Sequence, residues 1–100
     1  MTDALFDELI HAPNRLKICA LLASVKEAEF RILREELGVS DSVLSKQIRL
    51  LEEAAYVSIR KVTVKTGKKT WLSLTEGGKK AFAGHAKELQ RLAANAVHLL

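Results

Sequence analysis

Apolar positions recur at helical spacing through the first half of this chain, and the period then drops to that of strands. Leu5 and Leu9, with Phe6 and Ile10 beside them, predict a short first helix that Thr2 or Asp3 caps and that ends near His11. Pro13 either stops that helix or opens the next, where a missing N–H does no harm. Asn14 to Ser24 carries Leu16, Ile18, Cys19, Leu21 and Leu22, so it is apolar over most of its surface and is expected to be the central core helix. Glu29 to Leu37 puts Phe30, Leu33 and Leu37 on one face, and Gly38 stands where a left-handed residue ends a helix. Ser40 then offers an oxygen to the first free N–H groups of a fourth helix, and Asp41 puts negative charge at its positive end. Leu44, Ile48 and Leu51 fall on one side of that helix, which ends near Ala55. A helix, a three-residue turn containing Gly, and a second helix, over about 29–55, have the sequence form of a helix-turn-helix. Val39 would fill the gap between the two helices.

From Val57 the pattern alternates. Val57, Ile59, Val62 and Val64 mark one strand over Val57 to Lys65, and Trp71, Leu72 and Leu74 mark another over Thr70 to Thr75. Thr66, Gly67, Lys68 and Lys69 between them read as the connection of a hairpin over about 57–75. The alternation slips between Ile59 and Val62, which predicts a bulge or a change of face near Arg60 and Lys61. Thr75 is expected to cap a last helix over about 76–99, weakened by Gly77 and Gly78 in its first turn by up to about 1 kcal/mol each. In it Phe82, His85, Leu89, Leu92, Ala96 and Leu99 follow a heptad stripe. A dimer seam, with Leu5 and Leu9 contributing, is one reading of the stripe. Packing onto the chain's own first helix is the other.

One hundred residues make a single domain over 1–100, and a chain of this size buries enough surface for a core without staples. One Cys excludes an internal disulfide and suits a reducing compartment. The longest apolar run, Ile18 to Ala23, is far too short for a bilayer. Acidic Asp3, Asp7 and Glu8 near the start exclude a secretory signal there. The expectation is a soluble cytoplasmic protein.

Charge changes the picture more than composition does. The net charge is only +4, but residues 1–41 hold eight acids and five bases, whereas residues 42–80 hold nine bases and three acids. A basic half beside an acidic half suggests a polyanionic partner met by one face; solubility alone would also raise the pI. On the fourth helix the side opposite the apolar stripe carries Ser42, Lys46, Arg49 and Glu53, with Ser45 on the flank. Short donors that reach base edges and cations that meet phosphates are what a helix in a DNA major groove needs. The hairpin adds Arg60, Lys61, Lys65, Lys68 and Lys69 and no acid. Lysines also protect exposed strand edges, but five bases fit a hairpin that touches the sugar-phosphate backbone or a minor groove.

The set of strings in this order resembles a winged helix-turn-helix bacterial transcription regulator of the short MarR-like or ArsR-like type without a separate effector domain. They are Asn14-Arg15-Leu16, Leu44-Ser45-Lys46 with Leu51-Glu52-Glu53-Ala54, Tyr56-Val57, and Thr70-Trp71-Leu72-Ser73-Leu74-Thr75 with Gly78-Lys79. The resemblance spans essentially the whole chain. It implies DNA contacts from Ser42, Ser45, Lys46, Arg49, Lys68 and Lys69, with Val43 and Gln47 as neighbours at the groove edge. Three positions depart from the family pattern. Ala55 stands where Gly is usual, so the helix end is expected to adopt a conformation that Ala tolerates. Gln47 stands where His is frequent, and Gly77 replaces an acidic residue.

No catalytic constellation is present. His11, His85 and His98 are spread along the chain without ligand spacing, and Cys19 lies in an apolar helix. Paired thiolates, which ArsR-like metal sensors use, cannot come from one Cys, so no metal site or cofactor is expected within a subunit. A cross-subunit site using His85 and a carboxylate stays open. The expected fold is mainly α with a small β-hairpin, a winged helix-turn-helix with a long C-terminal dimerisation helix. The expected function is non-enzymatic: sequence-specific binding of double-stranded DNA by a homodimeric regulator, with repression the favoured effect and no membrane partner. The DNA-binding set is Ser42, Val43, Ser45, Lys46, Gln47, Arg49, Arg60, Lys65, Lys68 and Lys69, and the dimer set is the heptad stripe with Leu5 and Leu9. The alternative is a protein-interaction module on the same scaffold. A small-molecule effector is not written in the sequence.

Overall fold

Side chains that accept backbone N–H groups, Asp7, Ser40 and Thr75, mark where three of the helices of this chain begin. A computed structural model describes residues 3–99, with side chains through Ala96. Helix α1 is one turn, Glu8–His11, and Asp7 caps it by accepting the Ile10 N–H at 2.9 Å. The expected longer helix from residue 3 does not form, and Thr2, its other proposed cap, lies outside the described residues. The backbone donors that such a helix would use are engaged elsewhere: Leu5 N–H meets the Gly84 carbonyl at 3.0 Å, and Asp7 N–H meets the His85 ring at 3.0 Å.

Helix α2 (Pro13–Ala23) has its proline at the first position and buries Ile18, Cys19 and Leu22. It packs against α1 and against all three later helices, α3 (Phe30–Leu37), α4 (Asp41–Glu53) and α5 (Glu76–Leu99), as the core helix should. Its neighbours supply Ile10, Leu33, Leu44, Ile48, Leu51, Val57, Leu72 and Leu74 to one continuous core. Gly38, with φ +66°, closes α3, and half-buried Val39 packs on the core between α3 and α4.

The hairpin is longer than its sequence pattern indicated. Strands β2 (Val57–Val64) and β3 (Gly67–Leu74) pair residue for residue, leaving only Lys65 and Thr66 as the connection. Lys68 and Lys69 therefore belong to β3 rather than to the turn. Gly67 takes a φ of +129°, which allows the chain to reverse without a positive φ at either loop residue. The ladder contains no bulge; the slip in alternation is a change of face. Val57 and Ile59 turn toward the core with Leu72 and Leu74. Val62 and Val64 share the opposite side with Arg60 and Trp71. A two-residue strand β1 (Ala28–Glu29), absent from the sequence reading, pairs with Leu72 and Trp71 and completes an antiparallel sheet of order β1-β3-β2.

The exit from α4 also corrects an expectation. Ala55 has φ +62°, the left-handed conformation that a glycine would take there. Ala55 N–H donates to the Glu52 carbonyl and Tyr56 N–H to the Leu51 carbonyl, each at 2.9 Å. This bond pair ends a helix through a left-handed residue. Thr75 locks the exit from the other side. Its hydroxyl donates to the Ala55 carbonyl at 2.6 Å and accepts the Gly78 N–H at 2.9 Å, capping α5 as expected.

Candidate nucleic-acid interface

Helix α4 is held from three sides. Ser40 caps it by accepting the Val43 N–H at 3.2 Å, and Asp41 in its first turn receives Arg34 of α3 at 2.7 Å. That pair links the two helices across the turn and holds the Arg34 guanidinium, already strongly basic, more firmly protonated. Leu44, Ile48 and Leu51 anchor the inner side. Ser42, Val43, Ser45, Lys46, Arg49 and Glu53 remain exposed on the outside.

The hairpin stands beside α4. Ile59, Lys61 and Thr70 line a cleft of about 390 Å³ together with Ser45, Arg49 and Glu52 of the helix. Lys68 lies opposite Thr63 and so on the side of the sheet that faces α4, whereas Lys69 lies opposite Val62 on the other side. The two lysines thus straddle the hairpin near its tip, beside Lys65 of the connection.

Ion pairing leaves most of these bases without a carboxylate, as it does Arg15, Lys17, Lys26 and Lys80 among the described residues elsewhere. Among the described residues, Lys46, Arg49, Lys61, Lys65, Lys68 and Lys69 have no ion-pair partner. Arg31, Arg34, Arg60, Lys79 and Arg91 each hold a carboxylate. Arg60 thereby departs from the expected contact set. It grips Glu27 through two nitrogens, at 2.5 and 3.3 Å, and lies over the Trp71 ring at 5.8 Å. Gln47 departs too: it is half-buried, and its side-chain oxygen accepts Arg15 at 2.7 Å.

The two histidines whose side chains are described, His11 and His85, are adjacent in space, which their spacing in the chain concealed. His85 is fully buried. Its Nδ1 accepts the Asp7 N–H, so its proton sits on Nε2, which faces His11 Nδ1 at 3.1 Å. Phe6 closes the cluster against both rings. Burial, and then the nearby His11, lower the His85 pKa below its ordinary value. Asp7 links this joint to the end of α4 by accepting the Tyr56 hydroxyl at 2.6 Å; that bond, more than burial, raises the tyrosine pKa to about 12. Burial, reinforced by Asp7, raises Cys19 to about 11, so its thiol stays protonated as a small core group. Among the described residues no group of three or more His, Cys, Asp or Glu could hold a metal ion.

His85 therefore offers no surface to a partner subunit, contrary to its place in the expected seam. Phe82 packs on the core, and Leu9 and Leu89 are half-buried. Leu5, Phe6, Leu92 and Ala96 are exposed; the side chain of Leu99 lies outside the described residues. A cavity of about 420 Å³ opens between the N-terminal segment, Tyr56 and the start of α5, lined by Asp3, Asp7 and Lys80 among others. No helix among the described residues is long and apolar enough to cross a membrane.

Comparison with known proteins agrees with this geometry. The chain is 35% identical over 88 residues to an uncharacterized protein of Methanocaldococcus jannaschii, covering 88% of this chain and 96% of the relative. Its fold is similar to that of the transcriptional regulator homologue protein from Pyrococcus horikoshii OT3. That match has a TM-score of 0.84 and 22% identity, covering 90% of this chain and 89% of the other. It is also similar to the PcaV transcriptional regulator from Streptomyces coelicolor, with a TM-score of 0.74 and 18% identity, over 95% of this chain and 66% of that one. A family model described as a winged helix DNA-binding domain matches residues 14–93. That span runs from the core helix through the helix-turn-helix and hairpin into α5, and the chain belongs to this winged helix DNA-binding family.

Proposed function

We propose that this chain is a sequence-specific, double-stranded DNA-binding transcription regulator that acts as a homodimer, most simply as a repressor, in the cytoplasm. The observation that carries the reading is the cluster of six bases without an ion-pair partner among the described residues, Lys46 and Arg49 on α4 and Lys61, Lys65, Lys68 and Lys69 on the hairpin. Helix α4 would enter a major groove with Ser42, Ser45, Lys46 and Arg49 toward the bases. Val43 lies at the groove edge. Lys65, Lys68 and Lys69 would meet backbone phosphates on either side of the hairpin. The protein would need no cofactor and perform no catalysis.

The exposed end of the α5 stripe, Leu92 and Ala96, together with Leu5 and Phe6, supports dimerisation. A two-fold dimer would bind a pseudo-palindromic site with half-sites roughly 34 Å apart.

Selection from a randomised duplex library followed by affinity measurements over a range of salt tests the proposal. Wild-type protein should enrich a two-fold symmetric site. Lys68→Ala with Lys69→Ala should weaken binding to all duplexes alike and reduce the salt slope by about 2. An undiminished slope would remove the hairpin from the interface. Failure to bind any duplex would favour the protein-interaction reading of the same scaffold.

A further inference from the structure

Arg15 ties the recognition helix to the N-terminal segment. It lies in the first turn of α2, half-buried, and its guanidinium reaches two other elements at once. Nε donates to the Leu9 carbonyl of α1 at 2.6 Å, and Nη1 donates to the Gln47 oxygen of α4 at 2.7 Å. The Leu9 carbonyl is one of those that a single-turn helix leaves without an intrahelical donor, so Arg15 supplies what the backbone lacks. Both bonds are short and charge-assisted, and only a planar fork can direct two N–H groups along these two lines.

The contact also decides what Gln47 can do. A glutamine that reads adenine uses its oxygen as acceptor and its amide group as donor together. Here the oxygen is engaged by Arg15, and the side chain is half-buried on the flank between the core stripe and the outward face. Gln47 is therefore the handle by which α4 is held rather than one of its reading groups. We propose that Arg15 is a positioning residue for DNA recognition. Through Gln47 it sets the lie of α4 against α1 and α2, and hence the approach of Ser42, Lys46 and Arg49 to the bases. The inference rests on the DNA-binding reading above.

The test is a double-mutant cycle on the duplex selected by wild-type protein, with affinity measured at several salt concentrations. Arg15→Ala should weaken specific binding by about tenfold, the size of coupling found within one hydrogen-bonded network. The salt slope should stay unchanged, because no phosphate contact is lost; a direct phosphate contact would lower it by about 1. Gln47→Ala, a helix-compatible change, should weaken binding to a similar extent, and the double variant should be no worse than either single one. Gln47→Glu keeps an acceptor for Arg15 and should retain both affinity and the selected sequence. Arg15→Lys, which keeps the charge without the fork, should behave like Arg15→Ala. Multiplying effects of the two alanine variants, a salt slope reduced by Arg15→Ala, or a changed base preference in Gln47→Glu would each overturn the proposal. If wild-type protein binds no duplex, the DNA-binding reading itself fails. Wild-type binding with independent effects at Arg15 and Gln47 would defeat the positioning role alone.

Discussion

Replacing Ala55 with glycine should stabilise this protein, although it removes a methyl group and adds chain freedom. Ala55 is the one non-glycine residue with positive φ among the described residues, at +62°. In that conformation the Cβ crowds the following carbonyl, at a cost of about 1–2 kcal/mol. The strain is held in place by the two helix-exit bonds from Ala55 and Tyr56 and by the Thr75 hydroxyl on the Ala55 carbonyl. Glycine removes the crowding and keeps these bonds, which use only backbone atoms of residues 55 and 56. Against this, it raises the entropy of the unfolded chain, an opposing effect of about 0.4–1 kcal/mol. The difference, taken at the middle of each range, is a net gain of about 0.8 kcal/mol. For a domain of this length, 1 kcal/mol moves the midpoint by about 4–8 °C, so Ala55→Gly should raise Tm by several degrees.

Thermal unfolding followed by circular dichroism at one fixed protein concentration reads the effect, since any dimer makes Tm depend on concentration. Ala54→Gly is the internal control. Ala54 has φ −80° and ψ 0°, in the right-handed region. There glycine has no strain to relieve and should destabilise by about 0.5–1 kcal/mol. A lower Tm for Ala55→Gly, or equal losses at 54 and 55, would refute a left-handed helix exit at Ala55.

Two further predictions concern close approach and protonation. An added methyl on Gly78 would collide with the Tyr56 carbonyl oxygen and stand 2.9 Å from its carbon, whereas at Gly77 the nearest atom is at 3.7 Å. Gly78→Ala should therefore destabilise by about 1–3 kcal/mol, and Gly77→Ala should stabilise by up to about 1 kcal/mol; urea titration separates them, and equal effects would contradict the packing of α5 on Tyr56. His85 has a folded pKa below its ordinary 6.5, so the unfolded chain binds its proton more readily. Stability from this group should be complete above pH 6.5 and be lost as pH falls below it toward the folded pKa. Tm measured from pH 7.5 to 5 should fall in the wild type and fall less in His85→Gln, and a wild-type Tm flat across that window would count against the buried joint.

The elements that the sequence made legible are those specified by neighbours a few residues away. The apolar spacing of α2 and α4, Gly38 at the end of α3, and the Ser40 and Thr75 caps all act within one or two helical turns, so pattern and structure agree. What stayed hidden depends on residues far apart in the chain. Strand β1 is two residues long and exists only because Leu72 and Trp71 lie beside it. The His11–His85, Tyr56–Asp7 and Arg15–Gln47 contacts span 74, 49 and 32 positions respectively. Nothing in the local composition distinguishes the anchored Gln47 from its exposed neighbour Lys46. Likewise Arg60 counted as one more hairpin base until the sheet brought it to Glu27.

The heptad stripe of α5 shows most clearly why one pattern supported two readings. Periodicity reports that a row of side chains shares one face, but not what covers the row. Here the cover changes along the helix. At Phe82 and His85 the row is roofed by the chain itself, through the core and the segment that runs from Leu5 to His11. By Leu92, 44% exposed, and Ala96 none of the described residues covers it. The boundary falls near Leu89, which is half-buried. Exposed Leu5 and Phe6 sit on the segment that does the roofing. A partner subunit that covered Phe6 together with the bare half would press through it on the two histidine rings. Asp7 carries that contact onward to Tyr56 at the end of α4. In such a dimer the helix that joins the subunits and the helix proposed to read DNA would share one short segment, residues 5–11, as their mechanical link.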